Sequence, residues 1–357
     1  MEAAVIDEFS RIGGGQVLSN ILIDYLNKNN YNTYVEVDYS HNYLNYNKNK
    51  IIETPYKFYE NMNIIKLYYY VKKTEKFLSN YNKKNNFDFI FNNHPNMFLH
   101  KSNINAMHGF SFLDPIIDEY GNIMNKKFFY FIKQTKLYKI YNNANFYYNS
   151  KYTCNLSKKL FPFLNIKPNR EKIIYIPVEN HIDSNLSMKN KKLIISIGRI
   201  NIGKRYCDLL NVAKKMPGYH FIIAGALNKG DEKYYEKLIN LKTQNVEIKI
   251  NISNTEKIDL LKKASIYMHF NRKENYGISV IEAISYGLIP IIPKSGGPWI
   301  DIIEEGKYGY GYESLDDIPE LVKGIDYSKS KEIIDSVNRF SYENFYNNLN
   351  DFIEETK

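Results

Sequence analysis

Cysteine is nearly absent: Cys154 and Cys207 are the only two among 357 residues, far apart, with no CxxC spacing and no histidine cluster beside them. That excludes a disulfide framework or a cysteine-built metal site as the organising feature. Long apolar runs are missing as well. The longest are about five residues, such as FFYFI at 128–132, far short of the roughly 18 needed to span a bilayer. No charged-then-apolar leader opens the chain, so a cytoplasmic protein is expected. The first glycine-rich turn matches neither GxGxxG nor a Walker A loop with its Lys-Ser/Thr, which argues against a dinucleotide or ATP site there.

What is present is the balance of a globular protein, 44% hydrophobic and 24% charged. The 33 tyrosines, with abundant Asn, Ile and Lys, run through every segment and read as AT-rich coding bias. A chain of this length exceeds the usual size of one core, so two domains are expected. The net charge of +9 is uneven. Residues 1–185 hold 23 Lys and Arg against 16 Asp and Glu, and residues 186–357 hold 25 against 23. A basic first half fits a nucleic acid, an anionic membrane surface or a phosphorylated substrate, and it also fits plain solubility.

Apolar runs alternate with helical patterns from the start. AVIDEF reads as a strand, GGG as a turn, QVLSNILIDYLNK as a helix with Val17, Leu18, Ile21, Leu22, Tyr25 and Leu26 on one face, and TYVEV as the next strand. Further strands fit FDFIF, INAMH and NFYYN. A second series begins near residue 192 with KLIISIG, HFIIAG, VEIKI, IYMHF and LIPIIP as strands, separated by helices, the last of which follow Gly277 and Gly297. Short strands that are apolar on both faces, divided by helices of ten or so residues, predict parallel sheets covered on both sides. Two such series predict two doubly wound domains, over 1–183 and 184–337, with a polar linker at 179–192 between them and a closing amphipathic helix over 338–357. In such sheets ligands bind off the carboxyl ends of the strands, and two facing domains imply a cleft.

Every candidate site residue follows a predicted strand. Gly13, Gly14 and Gly15 could present backbone N–H groups to an anion, or merely make a tight turn. Arg199 and Lys204, in GRINIGK, could converge on a diphosphate, or be two solvated cations. In ENYGISVIEAISYGLIP, Glu274 precedes a helix and Glu282 lies about one turn inside it. Eight steps at about 100° overshoot two turns by about 80°, so the two carboxylates cannot stack on one face. They serve different parts of one ligand, or they are a helix cap and an exposed helical residue. A carboxylate accepts from vicinal hydroxyls, which suits one to a ribose and the other to a hexose, with the helix N-terminus facing phosphate.

The segment ENYGISVIEA with its two spaced glutamates, the following SYGLIPIIPKSGGPWIDII and the preceding IGRINIGK together resemble the retaining glycosyltransferases of family 4, which have the GT-B fold. The GGG loop, MHGF near residue 108 and NSKYTCNLSKKL at 149–160 fit that family in order. The region from ENYGISVIEA to SGGPWIDI is similar to the eukaryotic mannosyltransferases that extend lipid-linked oligosaccharides. The resemblance implies an α/β fold of two Rossmann-like domains facing across a cleft, and transfer of a hexose, mannose or glucose, from GDP-mannose or UDP-glucose. By the same resemblance Arg199 and Lys204 clamp the diphosphate, Glu282 holds the ribose, Glu274 contacts the transferred sugar beside Asn275, Tyr276, Gly277 and Ile278, Gly14 and Gly15 lie near the donor, and His108 sits at the reaction centre, with His94 its competitor. It further implies retention by same-face attack and no metal cofactor, with which the lack of Asp-x-Asp in the candidate loops agrees.

The family's first domain takes the acceptor, here a glycan or a lipid-linked chain. KLYYYVKKTEKFL at 66–78 and NKKFFYFIKQTKLYKIY at 125–141 interleave Lys with aromatics, as a helix lying on an anionic membrane surface would, and equally as helices with aromatics inward and lysines in water. A peripheral position on the cytoplasmic membrane face is the matching expectation. The competing class is a protein that binds nucleic acid through its basic, aromatic first half, for which no recognisable motif speaks.

Overall fold

The computed structural model describes residues 1–7, 14–37, 51–56, 64–95, 100, 102–109, 118, 122, 124, 134, 136–179, 181 and 189–356. The chain forms two units, Met1–Ile176 with Phe345–Lys357, and Pro177–Asn344. Each is built on a fully parallel sheet.

In the first unit the elements are β1 (Glu2–Ile6), α1 (Gly14–Lys28), β2 (Asn32–Val37), β3 (Ile51–Glu53), α2 (Ile64–Asn85), β4 (Phe89–Asn92), β5 (Ile104–Met107), β6 (Asn145–Tyr148), α3 (Lys151–Leu164) and β7 (Arg170–Ile173). The sheet order is β3-β2-β1-β4-β5-β6-β7. β1 is apolar on both faces, and Ala3, Ala4, Val5 and Ile6 are completely buried, as a central parallel strand requires. On α1, Leu18, Ile21, Leu22, Tyr25 and Leu26 are buried, while Val17 is 40% exposed. Val17 lies about 100° from the centre of that stripe, which corrects its assignment to the inner face.

In the second unit the elements are β8 (Asn190–Ile197), α4 (Tyr206–Lys215), β9 (His220–Gly225), α5 (Glu232–Leu241), β10 (Val246–Ile250), α6 (Asn254–Lys263), β11 (Ala264–Met268), α7 (Ile278–Ser285), β12 (Ile289–Pro293), β13 (Tyr310–Tyr312), α8 (Ile318–Lys323) and α9 (Ser330–Asp335). The order is β10-β9-β8-β11-β12-β13. α6 starts where Ser253 and Glu256 form a reciprocal capping box, and it ends where Lys189 Nζ donates to the carbonyls of Leu261 and Ala264, both at 2.8 Å. The helix expected after Gly297 is a single wide turn, Pro298–Ile302.

The last helix, α10 (Tyr342–Thr356), buries Phe345, Leu349, Phe352 and Ile353, each contributing roughly 1.5–3 kcal/mol. From Phe345 onward it packs with the first unit. Tyr346 stacks on Tyr25 with ring centroids 5.5 Å apart, the Tyr25 hydroxyl donates to Asn350, and Lys172 lies 3.5 Å from Asp351.

Strand order locates the ligand-binding edges. In the first sheet the chain winds outward from β1 in one direction and from β4 in the other, so the switch point lies between them; in the second it lies between β8 and β11. The aromatic-basic stretch at 66–78 lies in α2, where Tyr70, Val71 and Leu78 are buried, Lys72, Lys73 and Lys76 are exposed, and Tyr69 stands 59% exposed. Most of 125–141 lies outside the described residues; Leu137–Tyr141 is a tight 3-10 turn. No helix among the described residues is long and apolar enough to cross a membrane.

Candidate functional site

The loops following β8 and β11 flank the second sheet's switch point, and they carry Lys204 and Glu274. After β8 the chain turns at Asn201, whose side chain accepts from the Lys204 N–H at 3.2 Å, and Arg205 takes a left-handed conformation before α4 begins. This cap presents Lys204 at the edge of the sheet. After β11 the loop 269–277 is fixed by the backbone of a second loop, because Gly297 N–H donates to the Glu274 carbonyl at 2.7 Å. The contact is so close that a Cβ on Gly297 would stand 2.2 Å from the Asn275 carbonyl oxygen. The loop closes at Gly277, whose φ of 104° no other residue adopts readily and whose added Cβ would meet Pro298 Cγ at 2.7 Å. The glycines of SGGPW therefore act by positioning Glu274.

Four side chains converge there. Lys204 Nζ is 2.5 Å from Glu274 Oε2, Asn271 Nδ2 is 3.3 Å from the same oxygen, and His269 Nε2 is 3.5 Å from it. Burial pushes the Glu274 carboxyl up, but Lys204, His269 and the hydrogen bonds from Lys204 and Asn271 outweigh it and hold the group at about 2. Burial drives the His269 imidazole down to about 4, against the pull of Glu274 and with the push of Lys204. At neutral pH the cluster is an ammonium–carboxylate pair with a neutral imidazole behind it.

Glu282, on α7, is not part of this cluster. Its carboxylate is 2.5 Å from Lys257 Nζ of α6. α7 is in turn tied to the sheet by Tyr267, whose hydroxyl lies 3.0 Å from the Ile197 carbonyl and 2.8 Å from Ser279 Oγ. Tyr276 is buried with its ring edge-on to Phe340 at 6.1 Å, Asn275 is half-buried, and Ile278 is the first residue of α7. Arg199 stands half-buried two residues past β8 and makes no ion pair among the described residues.

The first sheet's switch point holds a second polar cluster. Asp7 follows β1, Asn93 follows β4, His108 follows β5, and Ser19 comes from α1; Asp7, Ser19 and Asn93 are completely buried. Ser19 Oγ donates to Asp7 Oδ2, and Asn93 Nδ2 is 3.0 Å from Asp7 Oδ2 and 2.6 Å from Ser19 Oγ. The Asn93 amide nitrogen is thus spent on these groups, so its Oδ1 accepts from His108 Nε2 at 2.6 Å. That assigns the His108 lone pair to Nδ1, which is buried with no hydrogen-bond partner among the described residues. Burial, reinforced by His94, lowers the imidazole to about 3. Gly14 and Gly15 are the first residues of α1; Gly13 lies outside the described residues.

Sequence reading did not find His269, Asn271, Lys257, Asp7, Ser19 or Asn93. A signal existed for Asp7, a charge closing an otherwise apolar strand. For Lys257, Ser19 and Asn93 the contact is between separate segments, and for His269 and Asn271 it is made by the fold of the loop 269–277, which no helix or strand period announces.

Both sheets, with their order and parallel sense, define the GT-B class of two Rossmann-like domains. The fold is shared over essentially the whole chain with sucrose-phosphate synthase from Thermosynechococcus elongatus, at a TM-score of 0.73 and 13% identity, covering 99% of this chain and 98% of that one. It is shared also with Anabaena HepE in complex with UDP-glucose, at 0.67 and 15%, covering 100% and 99%. Residues 177–345, which span the second unit, match the family described as glycosyl transferases group 1.

The GDP-Man:Man(3)GlcNAc(2)-PP-Dol alpha-1,2-mannosyltransferase of Dictyostelium discoideum is 26% identical over 210 residues, 51% of this chain and 42% of that protein. The Homo sapiens protein of the same name is 31% identical over 207 residues, 48% and 41%. The match thus spans about two-fifths of the length of these relatives. The nucleic-acid reading of the basic first half finds no support in these matches.

Proposed function

We propose that this protein is a retaining hexosyltransferase that moves a hexose from a nucleotide-diphosphate sugar, GDP-mannose before UDP-glucose, to a glycan or lipid-linked acceptor. The observation that carries the reading is the Lys204–Glu274 pair at the switch point of a sheet whose sequence matches a glycosyltransferase family. The relatives named above, which act with GDP-mannose on a dolichol-linked oligosaccharide, favour mannose and a lipid-linked acceptor.

In this reading Lys204 and Arg199 face the diphosphate and offset the charge that grows on it as the glycosidic bond breaks. A preorganised charged donor of this kind contributes most where charge develops, and about 2–4 kcal/mol is the usual cost of removing one. Glu274 accepts from hydroxyls of the transferred hexose, beside the backbone of Asn275, Tyr276, Gly277 and Ile278 at the start of α7. Glu282 accepts from the ribose. Gly14 and Gly15 stand near the donor, and His108 remains the candidate of the first unit for the reacting sugar. No side chain of either cluster is assigned as a covalent nucleophile, so retention follows from attack on the face the diphosphate leaves, its oxygen taking the acceptor's proton.

The exposed Lys72, Lys73 and Lys76 with Tyr69 on α2 support a peripheral contact with an anionic membrane surface, each basic residue contributing about 1 kcal/mol at low salt. The test is donor turnover measured with GDP-mannose and UDP-glucose in parallel, with and without anionic vesicles containing a polyprenyl-diphosphate-linked Man(3)GlcNAc(2). Turnover of one donor names the sugar and base. Failure to turn over either, or to bind GDP or UDP, overturns the reading.

A further inference from the structure

Glu274 has two oxygens and a one-sided environment. Among the described residues all its side-chain polar contacts are made by Oε2: Lys204 Nζ at 2.5 Å, Asn271 Nδ2 at 3.3 Å and His269 Nε2 at 3.5 Å. Two basic groups therefore address one oxygen, and one of them holds it. Lys204 makes the short contact, and His269 Nε2 stands behind it, buried and without a hydrogen bond among the described residues.

His269 is rigidly placed. Its side chain is 4% exposed, its N–H donates to the Ile291 carbonyl at 3.0 Å in β12, and its carbonyl accepts from the Tyr312 hydroxyl of β13 at 3.0 Å. The ring also bonds to the backbone of Asn271. Lys204, by contrast, is a flexible chain on a short turn. If the ammonium turns toward a diphosphate, a carboxylate that is only 20% exposed loses its main partner, and an unpaired charge in such a place is costly.

We propose that His269 is a positioning residue that takes over Glu274 Oε2 when Lys204 is drawn to the diphosphate of a bound nucleotide sugar, leaving Oε1 directed at the transferred hexose. This rests on the donor-site reading given above. The exchange takes up one proton: the ring N–H already donates to the Asn271 backbone, so Nε2 gains a proton from solvent, the ring becomes an imidazolium that donates to Oε2, and the ammonium charge moves to the phosphates. The groups that set the ring's titration are Glu274 and Asn271 on its own loop and Lys204 from the turn after β8, while the Tyr312 phenol of β13 is held on the His269 backbone carbonyl. Withdrawal of Lys204 removes a charge that lowers the imidazole and leaves Glu274, which raises it.

Histidine-labelled protein titrated by NMR, alone and saturated with GDP or UDP, tests this without turnover. The expected result is a His269 pKa that rises from about 4 into the neutral range in the nucleotide complex, where a purely structural imidazole would not move. Nucleotide binding with an unchanged His269 pKa overturns this proposal and leaves the donor-site reading standing; no binding by either nucleotide removes both. In variants, His269→Phe is expected to bind GDP as wild type does and to lose about 10- to 100-fold in kcat, the range for a charge-assisted hydrogen bond. His269→Gln, which can donate to Oε2, is expected to recover most of that loss. Equal losses in Phe and Gln variants of unchanged thermal stability, or wild-type kcat in the Phe variant, would sink the assignment.

Discussion

Lys204 and Glu274 are 70 residues apart in sequence, and their side chains meet at 2.5 Å beside the switch point of the second sheet. The pair stores a carboxylate in its ionised form and parks a cation where a diphosphate is expected.

Glu274→Ala is expected to abolish sugar transfer, with kcat/KM down by at least about 100-fold, because the hexose loses a charged acceptor. Nucleotide binding by calorimetry is expected to persist, because GDP carries no hexose. Turnover near wild type would refute the role given to Glu274.

Lys257→Met removes the partner of Glu282 without touching the Lys204–Glu274 pair. If Glu282 grips the ribose, a misaligned carboxylate weakens ground-state and transition-state binding alike, so KM for the donor is expected to rise about 5- to 20-fold with kcat little changed. Steady-state kinetics against donor concentration decide it.

Asn93→Ala breaks the chain from Asp7 and Ser19 to His108 and leaves three buried polar groups short of a partner. A loss of about 1–3 kcal/mol is expected in denaturant unfolding of the first unit, since buried groups left unsatisfied bear their desolvation cost. His108→Ala is expected to lower kcat with GDP binding intact, which separates a role in the reaction from a role in stability.

The pH dependence of stability has two opposed limbs. His100, His108 and His269 are held by burial at about 4, 3 and 4, below the ordinary value of 6.5. Their neutral forms favour the fold. Between pH 6.5 and about 4 the unfolded chain takes up protons the folded one refuses, so each histidine lowers stability by as much as about 1.4 kcal/mol per pH unit as pH falls. Glu36, buried beside Asn82, is raised to about 8, so stability is lost instead as pH rises from about 4.5 toward 8. Glu274, held at about 2, stabilises the fold above pH 4.5 and ceases to as pH falls through 2. Glu36→Gln is therefore expected to stabilise the protein by an amount that grows between pH 5 and 7.5 and reaches about 2 kcal/mol at pH 7. Urea denaturation at a series of pH values measures it, and a gain independent of pH would refute the buried acid.

Much of the fold was legible because the central strands are short apolar runs flanked by helical periodicity. HFIIAG and VEIKI were read at the residues where β9 and β10 begin and end. β3, β7 and β13, of sequences IIE, REKI and YGY, are edge strands of three or four residues, too short and too charged or glycine-rich to show an apolar pattern. The fourth edge strand, β10, is legible because five residues let Val246, Ile248 and Ile250 alternate with charges. The helix expected after Gly297 failed for a related reason. Its segment is shaped by packing of Gly297 against the Asn275 backbone, so the helical pattern there does not run on beyond the turn Pro298–Ile302.

By itself the sequence determined the kind of sheet and the identity of the charged residues set just after its strands, because both depend on local periodicity and on motif letters within a few residues of one another. Tertiary structure decided which of those charges meet. Strand order sends β8 beside β11 and β1 beside β4, and this brings Lys204 to Glu274 and Asp7 to Asn93. It also gives Glu282 to Lys257 and places His269 behind Glu274. Sheet order minimises the free energy of the whole packed unit, and no window of sequence contains that sum.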